Sequence, residues 1–139
     1  MPLYALDTDS LTLYREGHPQ LGQRVLAHAP SEIATTIISA EEQLAGWYAQ
    51  LRQAKQADRV ARAYERLAET IHFYTGVHLL LFTLPAIARY QQLLQMKLNV
   101  GKMDLRIGAI ALEHGAIVVT CNLRDFQRIP NLTAEDWSV

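Results

Sequence analysis

One cysteine, Cys121, occurs in the 139 residues, which excludes an internal disulfide and any zinc site built on several thiolates. Long hydrophobic runs are missing too. The longest apolar stretch, Val77 to Leu84, is broken by His78 and Thr83 and is far too short to span a bilayer. The N-terminal MPLYALDTDS has neither a basic segment nor a long apolar core, so it does not read as a signal peptide. Charge of one sign is not in excess: 13 Lys and Arg against 14 Asp and Glu leave a net charge of −1. No general attraction to nucleic acid follows, and any such contact must come from a local patch. There is no glycine-rich phosphate loop, no repeat and no low-complexity tract. His18, His28, His72, His78 and His114 show no close metal-binding spacing. Cys121 is expected to be a small buried side chain rather than a nucleophile. These absences lead to the expectation of a cytoplasmic protein with no membrane contact.

What is present is core-forming material. Half of the residues are apolar, enough for one sizeable core, and the length fits one domain over residues 1–139. Leu3 to Leu6 is a short apolar run stopped by Asp7 and reads as a strand. Asp9 or Ser10 is placed to cap the helix that follows through Leu11, Leu13 and Tyr14. A second helix starts after His18-Pro19 and carries Leu21, Val25 and Leu26. IATTII, Ile33 to Ile38, is rich in β-branched residues and reads as the second strand. Ser39 offers the next N-cap, with Glu42 at the spacing of a capping box.

From Ala40 to about Tyr74 the composition is helical without proline. A break near residues 54–58 turns this stretch into an antiparallel helical hairpin standing off the sheet, with Leu44, Trp47 and Leu51 as its buried stripe. VHLLLFT (77–83) reads as a third strand, followed by a helix with Pro85 in its first turn and Ile87, Tyr90, Leu93, Leu94 and Leu98 at helical spacing. A helix from about Met103 to Glu113 ends at Gly115. AIVVT (116–120) is a fourth strand, residues 122–126 are a turn or short helix, and residues 132–137 supply a fifth, edge strand. Strands alternating with helices predict a mostly parallel, four- or five-stranded sheet covered on both faces.

Four acids lie at or just past strand–helix junctions: Asp7, Glu42, Asp104 and Asp125. In parallel α/β folds such junctions gather at one sheet edge, where ligands bind. Carboxylates converging there repel one another unless a cation holds them, and an all-oxygen set suits Mg²⁺ or Mn²⁺. Each residue also has an ordinary reading. Asp7 could be a strand-end turn or helix cap, Asp104 a first-turn carboxylate favoured by the helix dipole, and Asn122 and Asp125 loop formers. Glu42 competes with Glu41, which points about 100° away on the same helix. Lys102 and Arg106 flank Asp104 and would suit a phosphate lying across the site. Thr120 and Asn122 bring further oxygens to the edge.

Taken together, these segments resemble the PIN-domain ribonucleases, in particular the VapC-type toxins of toxin–antitoxin pairs. Asp7 in LDTDSL matches the opening aspartate of that family, although Asp9 stands where the family usually has Asn. Gly46, four residues after Glu42, completes the family's E-x-x-x-G pattern and selects Glu42 over Glu41. Asp104 in KMDLRIGAIALEHGAIVVT matches the third acid. Asp125 matches the last, with Thr120 and Asn122 aligned in TxNxxDF. Residues 102–137 match most closely, and the likeness runs through nearly the whole chain.

The resemblance implies a three-layer α/β/α PIN-like fold with a protruding helical hairpin. It implies a Mg²⁺- or Mn²⁺-dependent endoribonuclease with Asp7, Glu42, Asp104 and Asp125 as catalytic and metal-holding residues, supported by Thr120, Asn122, Lys102 and Arg106 (or Arg124). It further implies a homodimer and a small antitoxin, held by such relatives on the hairpin. The rivals are a catalytically inactive PIN-like module for RNA binding or dimerisation, a phosphatase using the same metal chemistry, and a receiver-type switch. The last needs an acid after the third strand, where this chain has LLLFTLP. Arg52, Lys55, Arg59, Arg62 and Arg66 form either a positive helical face or an ordinary solvated surface.

Overall fold

In a computed structural model, which describes residues 2–139, the first apolar run becomes strand β1 (Tyr4–Leu6). It pairs on one side with β2 (Ile33–Thr36) and on the other with β4 (Ile117–Val119), both parallel. A two-residue strand, β3 (Leu79–Leu80), extends the sheet beyond β2, and β5 (Ala134–Glu135) extends it beyond β4. The order is β3-β2-β1-β4-β5 and every pairing is parallel. The expected fifth edge strand is therefore present.

Successive strand residues point to opposite faces, and the core divides accordingly. Ala5, Ala34 and Val118 face a large cluster with Tyr90, Leu93, Leu105, Ile107, Ile110, Phe126 and Ile129. Leu6 and Val119 face a smaller one with Leu11, Leu21, Val25 and Trp137. Those residues belong to helices on the two sides. Helices α1 (Thr8–Arg15) and α2 (Pro19–Leu26) cover the smaller cluster. Helices α5 (Leu84–Gln95) and α6 (Lys102–His114) cover the larger. The result is three layers. Gly108 lets α6 descend onto Ile129, whose Cδ1 would lie 2.6 Å from a Cβ at that position. Gly115, at φ 63°, ends α6 in the left-handed conformation that glycine tolerates.

The long helical stretch divides into α3 (Ile37–Gln53) and α4 (Ala57–Thr75), the expected hairpin. Only the first turn of α3 is fully buried, at Ile38, Ser39 and Ala40. Leu44, Trp47 and Leu51 are half-buried, as befits a hairpin that leans out from the sheet. The helix α7 (Leu123–Phe126) follows β4. No helix among the described residues is long and apolar enough to cross a membrane.

Several sequence expectations fail at element ends, each because a side-chain cap or tertiary burial outweighs local propensity. IATTII does not stay extended: β2 stops at Thr36, whose hydroxyl accepts the Ser39 N–H at 3.3 Å and starts α3 there. The helical penalty of two isoleucines is a few tenths of a kcal/mol each, whereas burying Ile38 (3 % exposed) contributes roughly 2 kcal/mol. The expected Ser39–Glu42 capping box is thereby displaced. VHLLLFT likewise contributes only two paired residues, because Thr83 caps α5 through the Ala86 N–H. The cap of α1 is Asp7 rather than Asp9 or Ser10. Leu26, placed in the core by its spacing, is 83 % exposed at the last residue of α2.

Candidate active site

The strand order reverses between β1 and β4. Loops leaving adjacent strands in opposite directions open a crevice at their carboxyl ends. Asp7 stands directly after β1 and Thr120 directly after β4, so the floor of the crevice is set by backbone pairing. The Asp7 N–H donates to the Val119 carbonyl at 3.0 Å.

Asp7 is 4 % exposed. Its Oδ1 accepts the Ser10 N–H at 2.9 Å, and the Thr120 hydroxyl hydrogen-bonds to its carboxylate. Burial pushes its pKa above the ordinary carboxylate value, with the Thr120 and Ser10 hydrogen bonds opposing the rise. The cap and ligand readings of Asp7 are thus not alternatives. One oxygen serves the helix, and the group as a whole is fixed at the switch point.

Glu42 lies in the second turn of α3. The Thr8 Oγ1 is 2.5 Å from its Oε1 and 3.1 Å from Ser39 Oγ. A hydroxyl has one hydrogen, so Thr8 donates to the carboxylate and accepts from Ser39. Glu41 is exposed and forms no part of this contact.

Asp104 sits in the first turn of α6, half-buried. Its pKa is raised to about 6, first by burial and then by the negative charges of Asp7, Glu42, Asp125 and Asp9. Among the described residues no hydrogen-bond donor offsets this, in contrast to Asp7. The four acids named from the sequence are therefore gathered closely enough for Asp104 to register the other three.

Asp125, in α7, is held on both oxygens. Asn122 Nδ2 donates to Oδ2 at 2.9 Å and Arg128 Nη1 to Oδ1 at 3.3 Å. Arg128 also donates to the Asn99 carbonyl at 2.8 Å. The Asn122 N–H in turn donates to Thr120 Oγ1 at 2.8 Å, which joins Asp125 to Asp7 through two side chains.

Not every flanking residue reaches the acids. Lys102 is exposed at the start of α6. Arg106 follows Asp104 by two residues, about 200° around the helix, and its guanidinium lies 5.2 Å from the Tyr90 ring centroid and 5.9 Å from that of Phe82. Arg124 is exposed. Cys121 is exposed, contrary to expectation, because it begins the turn where the chain leaves the sheet.

Thr8, Arg128 and Gln43 were not picked out from the sequence. Arg128 had a signal, its spacing three residues beyond Asp125 on a helical turn. Thr8 had only its adjacency to Asp7. Gln43 Oε1 accepts from the Tyr74 hydroxyl at 2.7 Å, and its Nε2 donates to Thr12 Oγ1 at 3.2 Å. This ties α1, α3 and α4 together one residue from Glu42. The Tyr74 hydroxyl has its pKa raised to about 12 by burial, with Arg15 opposing and Glu42 adding to the rise, so it is a donor at neutral pH.

Among the described residues no three His, Cys, Asp or Glu side chains stand close enough together, as they are placed here, to hold a metal ion. The donor set nevertheless fits a hard divalent cation. It consists of carboxylate oxygens, one of them without a donor, under a mutual repulsion that a cation would relieve.

No protein-family model matches the chain. Part of it is 44 % identical, over 46 residues, to a ribonuclease VapC2 of Rickettsia felis, covering 33 % of this chain and 34 % of that protein. A stretch of 38 residues is 50 % identical to a tRNA(fMet)-specific endonuclease VapC of Salmonella typhimurium, covering 27 % and 29 % of the two chains. The chain thus spans about a third of the length of these curated relatives. The structural likeness is far more extensive. A chain of the DNA-bound VapBC structure from Salmonella typhimurium superposes with a TM-score of 0.78 at 27 % identity, over 99 % of both chains. This chain has the VapC-type PIN fold. In that VapC-type frame the all-parallel sheet brings Asp7, Glu42, Asp104 and Asp125 to one edge.

Proposed function

We propose that this chain is a Mg²⁺- or Mn²⁺-dependent endoribonuclease and the toxin of a toxin–antitoxin pair. The observation that carries the proposal is the gathering of four carboxylates at the β1/β4 switch point, with Asp104 raised to about 6 partly by the charges of the others. The relatives' names, a ribonuclease and a tRNA(fMet)-specific endonuclease, support the choice of RNA as substrate.

Asp7, Asp104 and Asp125 would hold the cation. Bound there, it would supply Lewis-acid stabilisation of the phosphate's charge and a lowered pKa for an attacking water. Glu42, oriented by Thr8, would hold a second cation or orient the attacking water. Asp7 is kept in place by Ser10 and Thr120, and Asp125 by Asn122 and Arg128. The amino end of α6, which carries Asp104 in its first turn, would add positive potential at the site. Cleavage in this manner leaves a 3′-hydroxyl and a 5′-phosphate.

The partner is proposed to be a small antitoxin protein, since the structural neighbours are VapBC complexes. A second copy of the chain is proposed to cover Leu81, in the connection after β3, and Leu84, the first residue of α5, which are 55 % and 82 % exposed. The lone cysteine suits a reducing cytosol.

The test is incubation of purified protein with total cellular RNA in Mg²⁺, Mn²⁺ or EDTA, alongside Asp104→Asn. Discrete fragments that require the metal and vanish in the variant are expected. Fragments that persist in the variant or in EDTA would refute the assignment.

A further inference from the structure

The hairpin carries a feature that the acid cluster does not use. Residues 47–66 hold five cations (Arg52, Lys55, Arg59, Arg62, Arg66) against two carboxylates (Asp58, Glu65) and so carry +3. Since the whole chain is at −1, the remainder carries −4. The positive charge is thus concentrated at the tip of the hairpin, whose base carries Glu41, Glu42 and Glu69 and balances it.

The charge is also shaped. Arg59, Arg62 and Arg66 lie at i, i+3 and i+7, on one face of α4. They line a groove of about 670 Å³ together with Trp47, Gln50 and Gln53 of α3 and one carboxylate, Glu16 of the α1 end. Arg66 has Glu69 at 3.3 Å. Among the described residues, Arg59 and Arg62 have no carboxylate within 4.0 Å. Here four of the five cations are arginine, whose planar fork matches phosphate oxygens, and three of them share the groove with a half-buried indole and two primary amides. With a rise of 1.5 Å per residue, Trp47 to Ala54 lie about 8 to 18 Å along α3 from Glu42.

We propose that the α3–α4 groove is a second binding site for single-stranded RNA, holding the backbone phosphates on Arg59 and Arg62 and a base against Trp47 while the neighbouring segment reaches the acids. Arginine contacts to phosphate give affinity without sequence selection, and an aromatic face accepts any base. The groove then supplies length and strandedness preference, leaving selection among sequences to the surface around the acids. This proposal rests on the ribonuclease reading for its substrate, although binding to the groove needs neither metal nor cleavage.

The test is fluorescence anisotropy of a labelled single-stranded oligoribonucleotide with the full chain in EDTA, across a range of salt concentrations. The wild type is compared with Arg59→Gln/Arg62→Gln, and with Arg52→Gln/Lys55→Gln as a pair of equal charge outside the groove. All positions are exposed, and equal melting temperatures confirm that the variants fold. The groove pair is expected to weaken binding by roughly ten-fold or more and to flatten the log–log salt slope by about 1.4, for two phosphate contacts at about 0.7 each. The outer pair should lose less than half as much.

Equal losses from both pairs, which would mean a diffuse field, overturn the proposal. So does unchanged binding, or poly-glutamate binding the wild-type groove as tightly as the oligonucleotide does, which would mark it as a site for an acidic protein. Cleavage of RNA with the groove pair's KM unchanged sinks the groove and leaves the nuclease. Groove-dependent RNA binding without any metal-dependent cleavage does the reverse.

Discussion

Replacing Asp104 with Asn removes one negative charge from the cluster while keeping the side chain's shape. In the folded protein the carboxyl titrates at about 6 against an ordinary 3.8, and the unfolded chain restores the ordinary value. The folded state therefore binds this proton more tightly than the unfolded state does. Its contribution is unfavourable in the ionised form: absent below about pH 4, growing between about pH 4 and 6, and complete above about pH 6. A shift of about two pK units corresponds to ~3 kcal/mol. Partial exposure and solvent screening reduce this to ~1–2 kcal/mol. Against it stands the attraction of a first-turn carboxylate to the amino end of α6, ~0.3–1 kcal/mol, which Asn forfeits. The repulsion wins.

Asp104→Asn should thus be more stable than the wild type by ~1 kcal/mol in EDTA at neutral pH, a rise in Tm of roughly 3–5 °C for a chain of this size. Scanning calorimetry of both proteins, near pH 7.5 and near pH 4, provides the check. The difference should vanish at the lower pH, where the wild-type carboxyl is neutral as well. Mg²⁺ should then raise the Tm of the wild type more than that of the variant, because binding to the native state stabilises it by mass action. A variant less stable than the wild type in EDTA at neutral pH would refute the reasoning and make Asp104 a helix-end residue first.

Thr8→Val deletes the donor 2.5 Å from Glu42. We expect kcat to fall about ten-fold or more with KM little changed, and a stability loss of ~1 kcal/mol, read by steady-state cleavage and denaturant unfolding. A change in KM alone would mean that Thr8 acts on substrate binding. Arg128→Ala releases Asp125 and the Asn99 carbonyl together, and Mn²⁺ affinity by calorimetry should drop roughly ten-fold. Unchanged affinity would remove Arg128 from the site's support. Trp137→Ala should destabilise the protein by ~3–5 kcal/mol, because the indole is fully buried beside Tyr4 and stacked 5.0 Å from His28. A loss under 1 kcal/mol in urea unfolding would show that the C-terminal segment is dispensable.

Read from the sequence, the four acids and the alternation of strands and helices were already legible. Both are carried by local signals: short β-branched or apolar runs, caps, and Gly or Pro at element ends. Asp7, Asp104 and Asp125 could be placed because a polar residue directly after a buried strand, or in the first turn of a helix, has few other positions to occupy. Element ends were less legible. At Thr36 and Thr83 a hydroxyl on a backbone N–H decided where the strand stopped, against a propensity difference of only tenths of a kcal/mol. Cys121 and Leu26 were misplaced because exposure is set by which neighbour arrives, and a turn or a helix end brings none.

What tertiary structure alone decided is who meets whom across long separations. The parallel order β3-β2-β1-β4-β5 sets Asp7 beside Thr120. The packing of α1 against α3 delivers the Thr8 hydroxyl to Glu42, 34 residues away, and the α5–α6 loop offers Asn99 to Arg128. The same packing sends Arg106 over Tyr90, so that one of the two cations flanking Asp104 in sequence makes no ion pair with it. Periodicity fixes a side chain's direction only relative to its own helix axis. The orientation of that axis is a property of the whole core, and it determines which charges in this chain share a field.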